Sequence, residues 1–566
     1  MSINTVNERI KLTFQDHENN DVELPFKMLA LCDLTQDKRS EEIDSHSLIK
    51  VDTDVSSLLA ALNVTISMNL QNHLNPDSDD TIDIDYELNC LDDFEPESVL
   101  SGVMILSNAY QLHNQLSDTT IKSIKLLGAL ADFGFTVNEF LDFNERLVIQ
   151  AELQQRMNEQ LDLIIQSDKF RDLESNWRSL TYLHEHINYK ENIELIILNC
   201  SKQAILEDFE DAPDVTQSSL YQIVYSAEFG QFGGRPYSLM IGDFEINQSS
   251  MDIMLLQNMA KLSAISHCPL LTAASAKLFG IDSYAEFSRI RDISSHFDQP
   301  LYAKWNSFRQ SEDSRYVCLA LPKFLLRPSH NGNENGFNYV ETTRKKNTGL
   351  WGNAAFALAT RFANSYAHYR WYINSMGSEF GLLDELSIKT GHGSMRTQIP
   401  CEVMVSDRSA NELSKNGFAP ITIHKASKKA VFMSVPSCKD IINFNDTSDG
   451  QQNELNQRLE SQLPYMLISC RFSQYLKVMQ RENIGSWQTR SQIDQSLNKW
   501  LKQFVSDMDN PAPAVRARRP LREARINVRE MEGKSGWFLS TISITPHFKY
   551  MGQSFTLTER GRLEKA

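Results

Sequence analysis

The sequence predicts an α/β (α+β) chain in which mixed sheets are flanked by helices and both ends are rich in strands. Between residues 190 and 440, short apolar runs (IELIILN, YSLMIGDF, YVCLALPKFLL, CEVMVSD and AVFMSV) read as buried strands, and they alternate with helical stretches at 251–266 and 352–368. From Asn144 to Leu183 apolar residues recur at helical spacing: Leu153, Met157, Leu161, Ile164 and Ile165, then Phe170, Leu173, Trp177 and Leu180. The end of the chain alternates with period two, through Ile526 and Val528, then Phe538, Ser540, Ile542 and Ile544, then Phe555 and Leu557.

Taken from the N-terminus, RIKLTF and VELPFKMLALCDL supply strands, SSLLAALN a short helix, and SVLSGVMILSNAYQLHNQL one longer helix. The segment PDSDDTIDIDYELNCLDDFEPES, residues 76–98, holds ten carboxylates but lacks the central Gly and closing Glu of a calcium loop. Ile82, Ile84, Tyr86 and Leu88 alternate there with Asp83, Asp85 and Glu87, so it reads as a strand with one wet face. The stretch Asn144 to Leu183 reads as a continuous boundary helix. After the polar connector NFNDTSDGQQN come the helix SQLPYMLISCRFSQYLKVMQRE and a second one. Ile493, Leu497, Trp500, Leu501, Phe504, Val505 and Met508 mark the buried stripe of the second, which Asn510, Pro511 and Pro513 end.

At 566 residues the chain is long enough for roughly three or four domain-sized units, and 41% apolar with 23% charged residues is the balance of a globular protein. A net charge of −17 argues against a nucleic-acid binder and against adhesion to an anionic membrane. The N-terminus MSINTVNERIKLTFQDHENN lacks a basic-then-apolar leader, and no run approaches 18 apolar residues, so a cytoplasmic protein without membrane insertion is expected.

The eight cysteines are scattered without C-x-x-C spacing and read as buried reduced thiols. His184 and His186 have no third ligand nearby, and His267 and Cys268 are adjacent and so point apart, leaving packing roles. The glycine-rich stretch EFGQFGGRPYSLMIGDF, residues 228–244, is not followed by a helix start or a Lys and Ser/Thr pair. It reads as a turn feeding a strand and not as a phosphate cradle. With no nucleophile, paired base or metal constellation, the expectation is a non-enzymatic protein without cofactor. Arg516, Arg518, Arg519, Arg522, Arg525 and Arg529 locally reverse the acidity, which points to an acidic protein partner.

Several stretches resemble the sheath proteins of the bacterial type VI secretion system. SDKFRDLESNWRSLTYL, EFGQFGGRPYSLMIGDF, SEDSRYVCLALPKFLLRP, LWGNAAFALATRF, QLPYMLISCRFSQYLKVMQRENIGSW, RARRPLREARINV and ITPHFKYMG are similar, in that order, to the large sheath subunit. RIKLTF, ELPFKMLALCDL, IKVDTD and LDDFEPESV resemble the small subunit. The resemblance implies a natural fusion: residues 1–117 like the small subunit, 118–150 a compressed junction, and 151–566 like the large subunit, with an attachment helix and strands at about 491–566.

It further implies a helical homo-oligomer around an inner tube of stacked rings, seated on a baseplate, which contracts to propel the tube and deliver effectors. A bacteriophage-like tail sheath is the alternative within the same architecture, although the ELPFKMLALCDL block argues against it; a nucleotide-binding enzyme is the alternative outside it. The implied strand-exchange arms are Arg9, Ile10, Lys11, Leu12, Thr13 and Phe14 at one end and Ser554, Phe555, Thr556, Leu557 and Thr558 at the other. Arg516, Arg518 and Arg519 are implied inner-tube contacts, and Ile121, Leu126, Leu127 and Phe133 a contact for a hexameric recycling unfoldase.

Overall fold

A computed structural model describes residues 12–15, 20–44, 47–51, 55–75, 81–117, 123–135, 142–290, 292–330, 332, 339–341, 349–372, 374–387, 389–390, 397–441, 457, 461–482, 490–506, 508, 519, 521–530, 538–546 and 557–563. Its strands begin with β1 (Phe14–Gln15), β2 (Asp21–Val22), β3 (Phe26–Cys32), β4 (Leu48–Lys50), β5 (Val64–Gln71), β6 (Thr81–Leu88) and β7 (Ile193–Asn199). Then come β8 (Leu239–Ile246), β9 (Leu270–Ala274), β10 (Val317–Leu321), β11 (Phe324–Arg327), β12 (Leu350–Gly352), β13 (Leu382–Ser387), β14 (Lys389–Thr390) and β15 (Thr397–Gln398). The last are β16 (Phe418–Ile423), β17 (Lys429–Phe432), β18 (Leu521–Glu530), β19 (Phe538–Pro546) and β20 (Leu557–Leu563).

The principal helices are α1 (Val55–Leu62), α2 (Pro96–Gly102), α3 (Met104–Ser117), α4 (Ser123–Asp132), α5 (Phe143–Ile165), α6 (Asp168–Glu185) and α7 (Lys202–Asp211). They continue with α8 (Ser250–Ser266), α9 (Ala303–Gln310), α10 (Ala354–Tyr369), α11 (Asp407–Lys415), α12 (Leu463–Glu482) and α13 (Arg490–Lys502).

Nine strands form one mixed sheet in the order β13-β17-β16-β10-β9-β8-β3-β7-β4. Its six inner strands from β16 to β7 run parallel, and the edges close with antiparallel β4 and the β17-β13 pair. Parallel strands are covered on both faces, which is why FKMLALC is buried at every position. Alternation sorts the side chains. Met28, Ala30 and Cys32 join Trp177 of α6, Phe356 of α10 and Phe472 of α12 on one face. Leu29 and Leu31 join Phe209 of α7, Met259 of α8 and Trp305 of α9 on the other.

β3 and β4 lie in the small-subunit-like region, and β3 sits between β7 and β8 of the large-subunit-like one. The two regions therefore share one sheet and one core.

β6 has the expected wet face, with Asp83, Asp85 and Glu87 exposed and Ile84, Tyr86 and Leu88 buried. Its partner β5, a second alternating strand, was not anticipated from the sequence.

Four expectations need correction. The helix expected over SVLSGVMILSNAYQLHNQL is two, because Val103 turns extended (φ −83°, ψ 113°) after Gly102, whose bare Cα lies against the Tyr86 ring. The run from Asn144 to Leu183 is also two helices, since Ser167 is an extended N-cap whose hydroxyl accepts from the Phe170 amide. CEVMVSD forms no strand beyond one bridge from Cys401 to Phe324. The helix expected to run to Met508 stops at Lys502, and Met508 is exposed. Periodicity reports which side is buried, not whether the backbone bends between turns.

The stretch 230–235 is a turn that follows the short helix Ala227–Phe229. Arg481 of α12 donates to the carbonyls of Glu228 and Gly234, and a side chain at Gly234 would collide with the Glu228 carbonyl.

Candidate assembly interface

The two chain ends meet at α12 and α13. The Tyr475 hydroxyl, fully buried, donates to the Leu12 carbonyl at 2.6 Å and accepts from the Leu24 amide at 2.9 Å. Burial pushes this phenol well above its usual range, so it stays a proton donor. One turn earlier Arg471, also buried, donates to the Pro25 carbonyl at 2.8 Å, to the Leu24 carbonyl, and to the Tyr366 hydroxyl at 3.2 Å. Charge-assisted bonds of this kind contribute about 1.5–3 kcal/mol each. Residues 24 and 25 are thereby fastened to a helix more than 440 positions away.

The next clamp is on α13. The Trp500 indole N–H donates to the Thr13 carbonyl at 2.8 Å, and the Tyr475 and Trp500 rings stack at 6.0 Å. Leu12 and Phe14 are buried, the Phe14 ring meeting Tyr475 edge-on at 6.1 Å, and β1 pairs with β2 of the same chain. Leu12, Thr13 and Phe14 are thus held by the chain's own core; Arg9, Ile10 and Lys11 lie outside the described residues.

α13 also grips the C-terminal sheet. That sheet is antiparallel in the order β18-β19-β20, with Ile526 opposite Ile542 and Ile542 opposite Glu559. The Asn498 side chain donates to the Ile526 carbonyl at 2.8 Å and accepts from the Ile526 amide at 3.0 Å. Asp494 accepts from the Val528 amide at 3.2 Å, and Arg490 donates to the Val528 carbonyl at 2.8 Å. Leu557 and Thr558 fall in β20, opposite Ile544 and Ser543; Ser554, Phe555 and Thr556 lie outside the described residues.

The outward side of α13 carries Gln492, Gln495, Ser496, Lys499 and Lys502, a surface with no carboxylate. Arg519 is exposed just before β18, and Arg525 and Arg529 are exposed on it, while Arg516 and Arg518 lie outside the described residues. At the junction Leu126 and Phe133 are buried, and the Phe133 carbonyl accepts from Arg156 at 2.9 Å. Ile121 and the Leu127 side chain lie outside the described residues.

The remaining candidates have local partners. His184 meets the Tyr189 hydroxyl at 2.6 Å and His186 the Tyr182 carbonyl at 2.7 Å, while His267 caps α8 in the left-handed region (φ 52°). Seven of the eight cysteines are buried and Cys90 is half-buried. Among the described residues no group of three His, Cys, Asp or Glu could hold a metal ion, and no helix is long and apolar enough to cross a membrane.

Sequence reading missed Tyr475, Arg471, Asp494 and Asn498. The available signal was Arg490, Asp494 and Asn498 at i, i+4 and i+8, a polar stripe beside the buried one.

Residues 148–439 match the family described as EvpB/VC_A0108, tail sheath N-terminal domain, and residues 452–563 its tail sheath gpW/gp25-like domain. Residues 4–128 match the family described as Type VI secretion system, VipA, VC_A0107 or Hcp2. The chain is 33% identical over 430 residues to the type VI secretion system sheath protein TssC1 of Pseudomonas aeruginosa, covering 74% of this chain and 86% of that one.

Among solved structures, the anti-feeding prophage helical sheath in its contracted state is 10% identical and covers 69% of this chain and 78% of that one, with a TM-score of 0.31. A sheath tail protein of Listeria innocua is 10% identical and covers 61% and 60%, with a TM-score of 0.30.

Proposed function

The chain belongs to the family of type VI secretion system sheath proteins, with small-subunit and large-subunit regions in one polypeptide, and on that premise we propose that it stitches copies of itself into a helical sheath through its two ends. It is a structural protomer. The observation that carries the proposal is that α13 holds both ends at once, Trp500 on Thr13 and Asn498 on Ile526, two residues apart on one helix. In this reading the exchange arms are the residues ahead of Leu12, Arg9 to Lys11 among them, and the stretch Ser554 to Thr558, whose Leu557 and Thr558 open β20. Added to a neighbour's sheet, they make main-chain hydrogen bonds that survive while the bodies rotate.

In this reading the sheath assembles extended around an inner tube, stores energy as the gap between a metastable packing and a better-packed contracted one, and drives the tube from a baseplate. It works in the bacterial cytoplasm. The carboxylate-free outer side of α13 and Arg516, Arg518 and Arg519 face an acidic tube surface. A recycling unfoldase, if it engages Ile121 to Phe133, must first unpack α4, because Leu126 and Phe133 are buried.

The test is negative-stain imaging of the full chain alongside two truncations, one lacking residues 1–11 and one ending before Ser554. The full chain should build hollow tubes, and each truncation should stay folded without building them. Normal tubes from either truncation would remove that arm from the assignment. Cutting after Lys11 and not after Phe14 matters, since Leu12 and Phe14 belong to the core.

A further inference from the structure

In an antiparallel strand the N–H and C=O of alternate residues point to the same side. Ile526 and Val528 therefore direct their peptide groups away from β19, toward the outer edge of β18. An open edge of this kind is a template for any other strand. Here it is occupied by side chains. The Asn498 amide supplies one acceptor and one donor to Ile526, the pair that a neighbouring peptide would supply, and its second N–H is taken up by the Asp494 carbonyl at 2.8 Å. Asp494 and Arg490 divide the same two roles at Val528.

The match is metric as well as chemical. Four helical residues rise about 6 Å, and two strand residues span about 6.7 Å, so positions four apart on α13 come level with positions two apart on β18. Past the helix the backbone takes over: the Ser506 amide donates to the Leu521 carbonyl at 2.9 Å, and the Leu521 amide donates to the Phe504 carbonyl at 3.3 Å.

At the opposite margin β20 is the last described strand and lies beside α12. By the same alternation Thr558, Arg560 and Arg562 turn their peptide groups outward, and among the described residues no hydrogen bond closes that edge.

We infer that α13 is an edge guard: Arg490, Asp494 and Asn498 close the β18 edge, so that the terminal sheet accepts a strand from a second copy of this chain on the β20 side only. This rests on the strand-exchange reading above and adds direction to it. Each terminal sheet then takes added strands from one side only, and stitching cannot branch at the β18 edge. The guard also ties the sheet rigidly to α13, so a pull on the stitched strands moves the helix with them.

Hydrogen exchange on the full chain, resolved by residue and compared before and after assembly, tests this. The Ile526 and Val528 amides should be protected already in the unassembled chain, and those of Arg560 and Arg562 only after assembly. In Asn498→Ala, the Ile526 amide should exchange at least about tenfold faster before assembly, with the neighbouring Asn527 and the β3 amides unchanged, which shows that the chain is folded. In Asp494→Ala/Asn498→Ala, negative-stain images should show branched or irregular aggregates in place of single tubes.

Three results would each overturn the guard: free exchange at Ile526 and Val528 in the unassembled parent, protection gained there only on assembly, or regular tubes from the double variant. A parent that never assembles would instead sink the strand-exchange reading, while the exchange pattern at Ile526 would still report on the edge.

Discussion

Arg327 of β11 lays its guanidinium on Glu174 of α6 as a fork, Nε to Oε1 at 2.6 Å and Nη2 to Oε2 at 3.0 Å, with both side chains buried. Arg178 adds a third bond to Glu174 at 2.7 Å and reaches Glu95 of the small-subunit-like region at 2.8 Å, while Arg327 also meets Glu341 at 3.1 Å. The network fastens α6, β11 and the N-terminal region together.

Removing one partner of a buried pair strands the other charge, so Glu174→Ala should lower stability by about 3–5 kcal/mol in denaturant titration. Burial alone would raise the Glu174 pKa, but Arg327 and Arg178 outweigh it and hold the carboxyl below its usual range. A depressed folded pKa contributes stability above the unfolded value of about 4.3 and loses it as pH falls through the folded value. Glu174→Gln should therefore remove part of the acid sensitivity, read as a flatter midpoint-against-pH curve below about pH 5.

Asp243 behaves oppositely. Its Oδ2 is buried without a hydrogen-bond partner, and burial, reinforced by Asp172 and Glu245 against Lys323, pushes its pKa up to about 7. A raised folded pKa means stability that is present at low pH and lost as pH rises from about 4 toward 7. Asp243→Asn should accordingly stabilise the chain by about 1–3 kcal/mol at pH 8 and by less at pH 5, as thermal unfolding at the two pH values would reveal. An equal effect at both would mean that Asp243 is ionised throughout.

Because β3 sits between β7 and β8, the covalent link between the two regions should be dispensable. Co-expressed as residues 1–117 and 118–566, the halves should co-purify at equal stoichiometry. The larger piece alone should aggregate, because without β3 the strands β7 and β8 face each other across an empty slot with unpaired backbone. Soluble monomeric 118–566 would show that the slot closes by itself.

Replacing Arg516, Arg518 and Arg519 by Glu should weaken co-assembly with an acidic inner tube more strongly at low than at high salt, since exposed charges are screened beyond roughly 10 Å at 0.1 M. Co-sedimentation across a salt series measures it. A salt-independent result would assign the cluster to the chain's own sheet.

Much of this protein could be read from local pattern. The alternation of Ile84, Tyr86 and Leu88, the buried run around β3, the stripe Leu497, Trp500 and Leu501, and the turn at Gly234 all follow from side-chain periodicity and backbone geometry, which the sequence carries directly. Its ordered blocks also sufficed for the family.

What neighbours each strand was decided only by tertiary structure. β3 lies between strands that begin 167 and 213 residues after it, and nothing in FKMLALC names those partners, because a parallel strand is apolar on both faces whatever lies beside it. Helix breaks at Val103 and Ser167 were hidden for a related reason: the apolar stripe continues through them. The grip of Asn498 on Ile526 was hidden because the polar residues concerned resemble solvated ones until a strand edge is brought against them. A hydrogen bond depends on where two groups meet, and hydrophobic periodicity reports only which side of an element is dry.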